Sequence, residues 1–163
     1  MCFTFLKSQG IKIGSSIVDD DNIEFCQNIL NKYREKIVLP LDIITSNNET
    51  KDIDNIDDTD IGYDIGTKTI KLFTSILKDA KRVVINGPMG VFEKEEFANG
   101  TKEIYKCLKE NNIKTLVGGG DSAASVNLLG YNDAFFHIST GGGATLDYLS
   151  GKILPAIDII EEK

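Results

Sequence analysis

The sequence predicts an α/β protein: an open, mostly parallel sheet with helices on both faces, Rossmann-like and incomplete at its N-terminal end. Short apolar runs of strand length, VLPLDIIT (38–45), RVVIN (82–86), TLVG (115–118) and AFFHIS (134–139), alternate with segments whose apolar residues recur every three or four positions. Two of these runs pass directly into three glycines and a further helix. Helices alternating with doubly buried strands call for parallel pairing through right-handed crossovers.

Taken in order, Phe3, Phe5 and Leu6 with Gly10 behind them read as the tail of a helix that no strand precedes, so the sheet is expected to be cut there. Ile23, Cys26, Ile29, Leu30 and Tyr33 mark a helix with one buried face, capped by Asp20 or Asp21. The run 38–45 follows as a strand buried on both faces, and the acidic stretch 48–60 as a mobile surface excursion, too polar to offset the entropy of ordering. Thr67 is placed to cap a helix carrying Ile70, Phe73 and Leu77, before the strand 82–86 and its loop NGPMG. Phe97, Thr101, Ile104, Tyr105 and Leu108 mark the next helix, then come the strand 115–118, a short helix through Val126 and Leu129, and the strand 134–139. No linker divides the chain, so one domain over 1–163 is expected.

Composition narrows the function classes. With 41% hydrophobic and 26% charged residues the 163-residue chain reads as globular. A net charge of -7, from 18 Lys and Arg against 25 Asp and Glu, argues against nucleic acid as a partner, because phosphate neutralisation needs a cationic surface. The stretch 48–60 alone, with six acids and one lysine, carries -5 of that charge, which leaves room for an anion site elsewhere. It is no EF-hand loop, since Asp57 stands where such a loop needs glycine. Cys2, Cys26 and Cys107 are odd in number and far apart, suggesting neither disulfides nor zinc. No apolar run approaches the roughly 18 residues that span a bilayer, and the start lacks the features of a signal peptide. A soluble, cytoplasmic protein without a membrane partner is expected.

The chemistry concentrates in Gly118-Gly119-Gly120-Asp121 and Gly141-Gly142-Gly143-Ala144. Glycine leaves no Cβ between backbone and ligand, and the helix behind offers unpaired N–H groups and partial positive charge, so each triplet is a phosphate seat. Taken singly, each also reads as a tight strand-to-helix turn. Both lie at carboxyl ends of parallel strands, the rim where open α/β sheets bind ligands, and a pair suggests a polyphosphate or a transferred phosphoryl group. No G-x-x-x-x-G-K-[ST] is present, and the loose dinucleotide pattern at Gly118, Gly120 and Ala123 lacks the following ribose-binding acid. Asp121 is placed either to cap its helix or to hold a magnesium ion bridging nucleotide phosphates. Glu93 is an acceptor for a ribose, or else a solvated acid. His137, inside an apolar run, is expected as a hydrogen-bonded core residue rather than a general base, and one histidine builds no catalytic triad.

FTFLKSQG (3–10), INGPMGVFE (85–93), GGGDSAAS (118–125) and HISTGGGATLDYLSGKILP (137–155) resemble, in order and spacing, the C-terminal nucleotide-binding domain of phosphoglycerate kinase. DIGTKTI (64–70) is similar to a family segment, with Thr67 in place of proline. The resemblance implies phosphoryl transfer between 1,3-bisphosphoglycerate and ADP-magnesium, giving ATP and 3-phosphoglycerate in glycolysis, by positioning and charge stabilisation. It places Asn86, Pro88, Val91 and Glu93 around the adenosine, with Glu93 on the ribose, and Gly62 and Tyr63 beside the base, Tyr63 replacing a smaller aliphatic residue. Gly118, Gly119, Gly120 and Ser122 would hold the ATP or ADP phosphates and Asp121 the Mg2+. Gly141, Gly142 and Gly143 would face the phosphoryl group in flight, with Gly119, Gly142 and Gly143 as the catalytic set.

The departures bear equally on function. The sugar-acid-binding N-terminal domain, the opening strand and the Gly-Ala-Lys loop of such enzymes have no counterpart, and Met1 matches a methionine after the second strand of the C-terminal domain. The chain therefore reads as an N-terminally truncated fragment with negligible kinase activity alone, binding 3-phosphoglycerate only with the missing part. The alternative is a non-catalytic ADP/ATP-binding module. The family is usually monomeric, but a cut sheet exposes an apolar edge, so self-association is expected here.

Overall fold

A computed structural model describes residues 1–160; the last three residues of the expected domain lie outside it. The chain forms two compact units, one of Met1–Ile76 with Met89–Ile104, the other of Leu77–Pro88 with the chain from Tyr105 onward.

In the first unit, helix α1 (Cys2–Ser8) packs on α2 (Ile23–Tyr33). Leu6, Cys26 and Leu30 are buried, the face predicted by the three-and-four spacing. The expected aspartate cap of α2 is absent: Asp20 and Asp21 form a 3-10 turn, and the flanking Asn22 makes no side-chain cap bond. Strands β1 (Asp42–Thr45), β2 (Thr50–Asp52) and β3 (Gly62–Ile65) form a sheet in the order β2-β1-β3, antiparallel on both sides of β1.

This corrects two expectations. The run 38–45 contributes only its second half as strand, in an antiparallel sheet: Pro40 has no N–H for a ladder, and Val38 and Leu41 are exposed. The acidic stretch is ordered structure rather than a mobile excursion. Lys51 on β2 donates to Asp57 at 2.6 Å and Asp60 at 2.7 Å, Asp57 N donates to Asp60 Oδ2, and Ile56 beneath them is 3% exposed. One cation and one buried isoleucine organise acids that composition alone leaves unpaired, and these bonds raise the Lys51 ammonium above its ordinary range.

Helix α3 (Thr67–Leu77) follows β3, and its N-terminus is closed from another strand rather than by Thr67. The buried Asp42 carboxylate accepts from Lys68 N at 2.9 Å, Thr69 N at 2.8 Å and Thr69 Oγ1 at 2.6 Å. Helix α4 (Asn99–Glu110) carries Thr101, Ile104, Tyr105 and Leu108, all buried as their spacing predicts. Phe97, also buried, belongs to the 3-10 turn ahead of it.

The second unit holds the predicted parallel sheet: β4 (Arg82–Ile85), β5 (Lys114–Gly118) and β6 (His137–Ser139), in the order β4-β5-β6. Helices α5 (Gly120–Leu128) and α6 (Gly142–Leu149) pack on β5, and a short α7 (Pro155–Asp158) follows. Ile85, Leu108, Ile113, Val117 and Val126 build its core. Tyr105 lies among Tyr131 and Phe135, with ring centroids 5.5 and 5.1 Å away. The run 134–139 is strand only over its last three residues, on an edge, so His137 is exposed instead of lying in the core. Both edges leave apolar groups in water: Val84 on β4, Phe136 ahead of β6, and Leu146, Tyr148 and Leu149 on α6.

Candidate functional site

The second unit brings its three strand-end loops together at one rim: residues 86–87 after β4, 118–120 after β5 and 139–142 at the end of β6. Gly119 has φ of +100° and ψ of 150°, a conformation that excludes a Cβ. Its N–H donates to Ser139 O at 2.9 Å, joining the second loop to the third. A methyl group on Gly142 would sit 2.8 Å from Gly119 Cα and 3.1 Å from Asn86 Oδ1, and one on Gly119 would sit 3.3 Å from the same Oδ1. The two glycine turns are thus in direct contact, with the Asn86 carboxamide beside both.

The free side of each turn is open. A methyl on Gly120 or Gly143 would meet nothing within 4 Å, so the approach to the first turns of α5 and α6 is clear. Neither helix has a side-chain cap; Gly142 N donates to Thr140 O at 3.2 Å, and the other N–H groups of the two first turns are left to a ligand or solvent. Ser122 is 1% exposed, and its Oγ accepts from Gly87 N at 2.6 Å, tying the first loop to α5. Behind it, Ser125 Oγ donates to Ser122 O at 2.8 Å and lies 2.7 Å from Tyr105 OH, linking the rim to the core.

Asp121, on the first turn of α5, is exposed and makes no hydrogen bond or ion pair among the described residues, so it is not spent on capping. Among the described residues no cluster of three or more His, Cys, Asp or Glu could hold a metal by itself. A lone outward carboxylate beside open helix N-termini suits a hard cation that takes the rest of its oxygens from phosphates and water, so these residues fit magnesium.

The first unit holds the other expected site residues. Val91 N donates to Tyr63 O at 2.8 Å, so the segment after Met89 lies alongside β3. The Tyr63 ring stands edge-on to buried Phe97 at 5.0 Å, with Lys94 Nζ 5.2 Å from its centroid. Gly62 has no room for a side chain, because the Phe3 ring occupies that space. Glu93 is exposed.

Sequence reasoning missed two buried carboxylates here. Asp42 caps α3, and Asp64 on β3 accepts from Ile65 N at 2.8 Å and Gly100 N at 2.7 Å. Burial raises the Asp64 carboxyl from its ordinary 3.8 to about 6, against the opposing pull of these two N–H groups. The one available signal was a carboxylate inside a short apolar strand, a place where an acid persists only if it is bonded.

The family model described as phosphoglycerate kinase matches residues 1–152. A phosphoglycerate kinase of Clostridium botulinum is 46% identical over 173 aligned positions, covering 100% of this chain and 44% of that protein. One from Pseudothermotoga lettingae is 49% identical with the same coverage. Among solved structures, phosphoglycerate kinase from Coxiella burnetii is similar with a TM-score of 0.90 at 34% identity, over 97% of this chain and 44% of that one. The enzyme from Pyrococcus horikoshii gives 0.82 at 31%, over 96% and 42%. The chain spans under half the length of the curated relatives it matches.

Proposed function

The chain belongs to the phosphoglycerate kinase family, and from that premise we propose that its glycine rim receives the phosphates of ADP or ATP. The reaction served is phosphoryl transfer between 1,3-bisphosphoglycerate and ADP-magnesium, giving ATP and 3-phosphoglycerate. The observation that carries this is the contact between Gly119 and Gly142, which sets two helix N-termini side by side.

In this reading Gly118, Gly119 and Gly120 with Ser122 hold the nucleotide phosphates, the free N–H groups being those of the first turn of α5 behind Gly119, and the Ser122 side chain holds Gly87 so that Asn86 stays beside both turns. Gly119, Gly142 and Gly143 face the phosphoryl group in transit, where backbone donors stabilise charge that spreads over its oxygens. Asp121 is the proposed magnesium ligand, and the bound ion would neutralise phosphate charge. Asn86, Pro88, Gly62, Tyr63, Val91 and Glu93 are the proposed adenosine-side residues, Glu93 accepting from the ribose. The sugar acid is proposed to bind only alongside polypeptide that the longer relatives possess. A cytoplasmic location and self-association through the uncovered apolar edges complete the proposal.

A second reading, a module that binds ADP or ATP without chemistry, has one observation in its favour. The rim segments 86–88, 118–127 and 137–150 contain no Lys or Arg to meet a terminal phosphate. Calorimetry with ADP-magnesium tests the shared part of both readings, and absence of heat at millimolar nucleotide would sink them. A coupled ATP assay separates them: turnover near that of a full-length relative excludes the module.

A further inference from the structure

We propose that Asp64 is a positioning residue for segment 89–93, fixing it against β3 and the N-terminus of α4 without itself touching nucleotide; the inference rests on the nucleotide reading above. Three consecutive residues of the segment are held by these two elements. Met89 N donates to Thr101 Oγ1 of α4 at 3.0 Å, and Val91 N donates to Tyr63 O of β3 at 2.8 Å. Between them Gly90 lies directly on the Asp64 carboxylate, so that a methyl group there would collide with Oδ1 and stand 2.6 Å from Phe97 O.

Asp64 also joins the two elements. Its Oδ2 accepts from Gly100 N, the second residue of α4, and a methyl on Gly100 would strike the same carboxylate. The residue is 4% exposed, and the groups against it are backbone and apolar atoms of Ile65, Gly90 and Gly100. Burying a carboxylate is costly, and simple space-filling would be served better by an apolar side chain. What a carboxylate adds is two directed acceptors, one at a helix N-terminus, and hence a defined distance between β3, α4 and the glycine wedged on it. Glu93 follows three residues after Gly90, so this distance sets where its exposed carboxylate stands.

The test is calorimetry on the whole chain with two probes, ADP-magnesium and pyrophosphate-magnesium, for wild type, Asp64→Asn and Gly90→Ala. Asn keeps one acceptor but turns an NH2 toward the other N–H; the alanine pushes the segment off an intact Asp64, which covers the case in which Asp64→Asn fails to fold. Both variants are expected to bind ADP roughly tenfold more weakly, while pyrophosphate binding stays within about twofold. Equal losses for both probes, or unchanged ADP affinity, would overturn the inference alone. A wild-type chain that binds no ADP would overturn the nucleotide reading and the inference together.

Discussion

Gly142 lies so close to Gly119 that a single methyl group on it would stand 2.8 Å from the Gly119 Cα. The two glycine turns are therefore one structure, and each limits what the other can be.

Gly142→Ala must part the turns or move Asn86, whose Oδ1 would lie 3.1 Å from the new methyl. Its expected effect on stability is small, about 1 kcal/mol, because the first turn of α6 is largely uncovered. Affinity for ADP-magnesium should fall by roughly tenfold or more, since misplaced donors lose most of their worth to an anion. Titration calorimetry paired with a urea melt checks this; a loss of stability without loss of affinity would contradict it.

Asp42→Ala removes the acceptor for Lys68 N, Thr69 N and Thr69 Oγ1 at the start of α3. A lost cap together with buried donors left unpaired should cost about 2 kcal/mol. The urea midpoint is the measurement, and a shift within experimental error would show that solvent replaces the carboxylate.

Asp64 gives stability a pH dependence whose sign is fixed. Its folded value of about 6 lies above its ordinary 3.8. Its contribution is therefore fully present below about pH 4 and is lost as pH rises through about 6, up to about 3 kcal/mol in all. The stability of Asp64→Asn minus that of wild type should increase between pH 4 and 7 and then level off. A difference that is flat, or that decreases, would mean that the carboxyl does not titrate as a buried group.

Lys51→Met removes the cation shared by Asp57 and Asp60, and Asp60 is itself only 4% exposed. Residues 48–60 should then become a preferred site of limited proteolysis, with the effect reduced in high salt as the acids are screened from one another. An unchanged cleavage pattern would place the order of this segment in Ile56 and the backbone rather than in the ion pairs.

The apolar runs, the three-and-four spacing and the paired glycine triplets were enough to place β4, β5, the end of β6 and helices α4, α5 and α6, because in a parallel sheet each of these is a local pattern; the short α7 carries no such signal. The same reasoning misplaced the first unit's sheet. There β1 is short, β2 is a charged tripeptide and β3 reads GYDI, so no segment announces itself by hydrophobic period. His137 misled for the opposite reason: its run is apolar, but β6 is an edge strand with a neighbour on one side only, and the residue is exposed.

Local residue chemistry thus placed a glycine turn at the end of each of two parallel strands, each opening a helix. Contacts between distant segments decided the rest. Whether Gly119 and Gly142 touch, whether Ser122 is bound to Gly87, and whether Asp42 and Asp64 are capping groups or solvated acids all depend on partners 23 to 36 residues away in sequence. A side chain's hydrogen-bond partner, and with it the cost of its burial, is a property of the folded neighbourhood rather than of the local string.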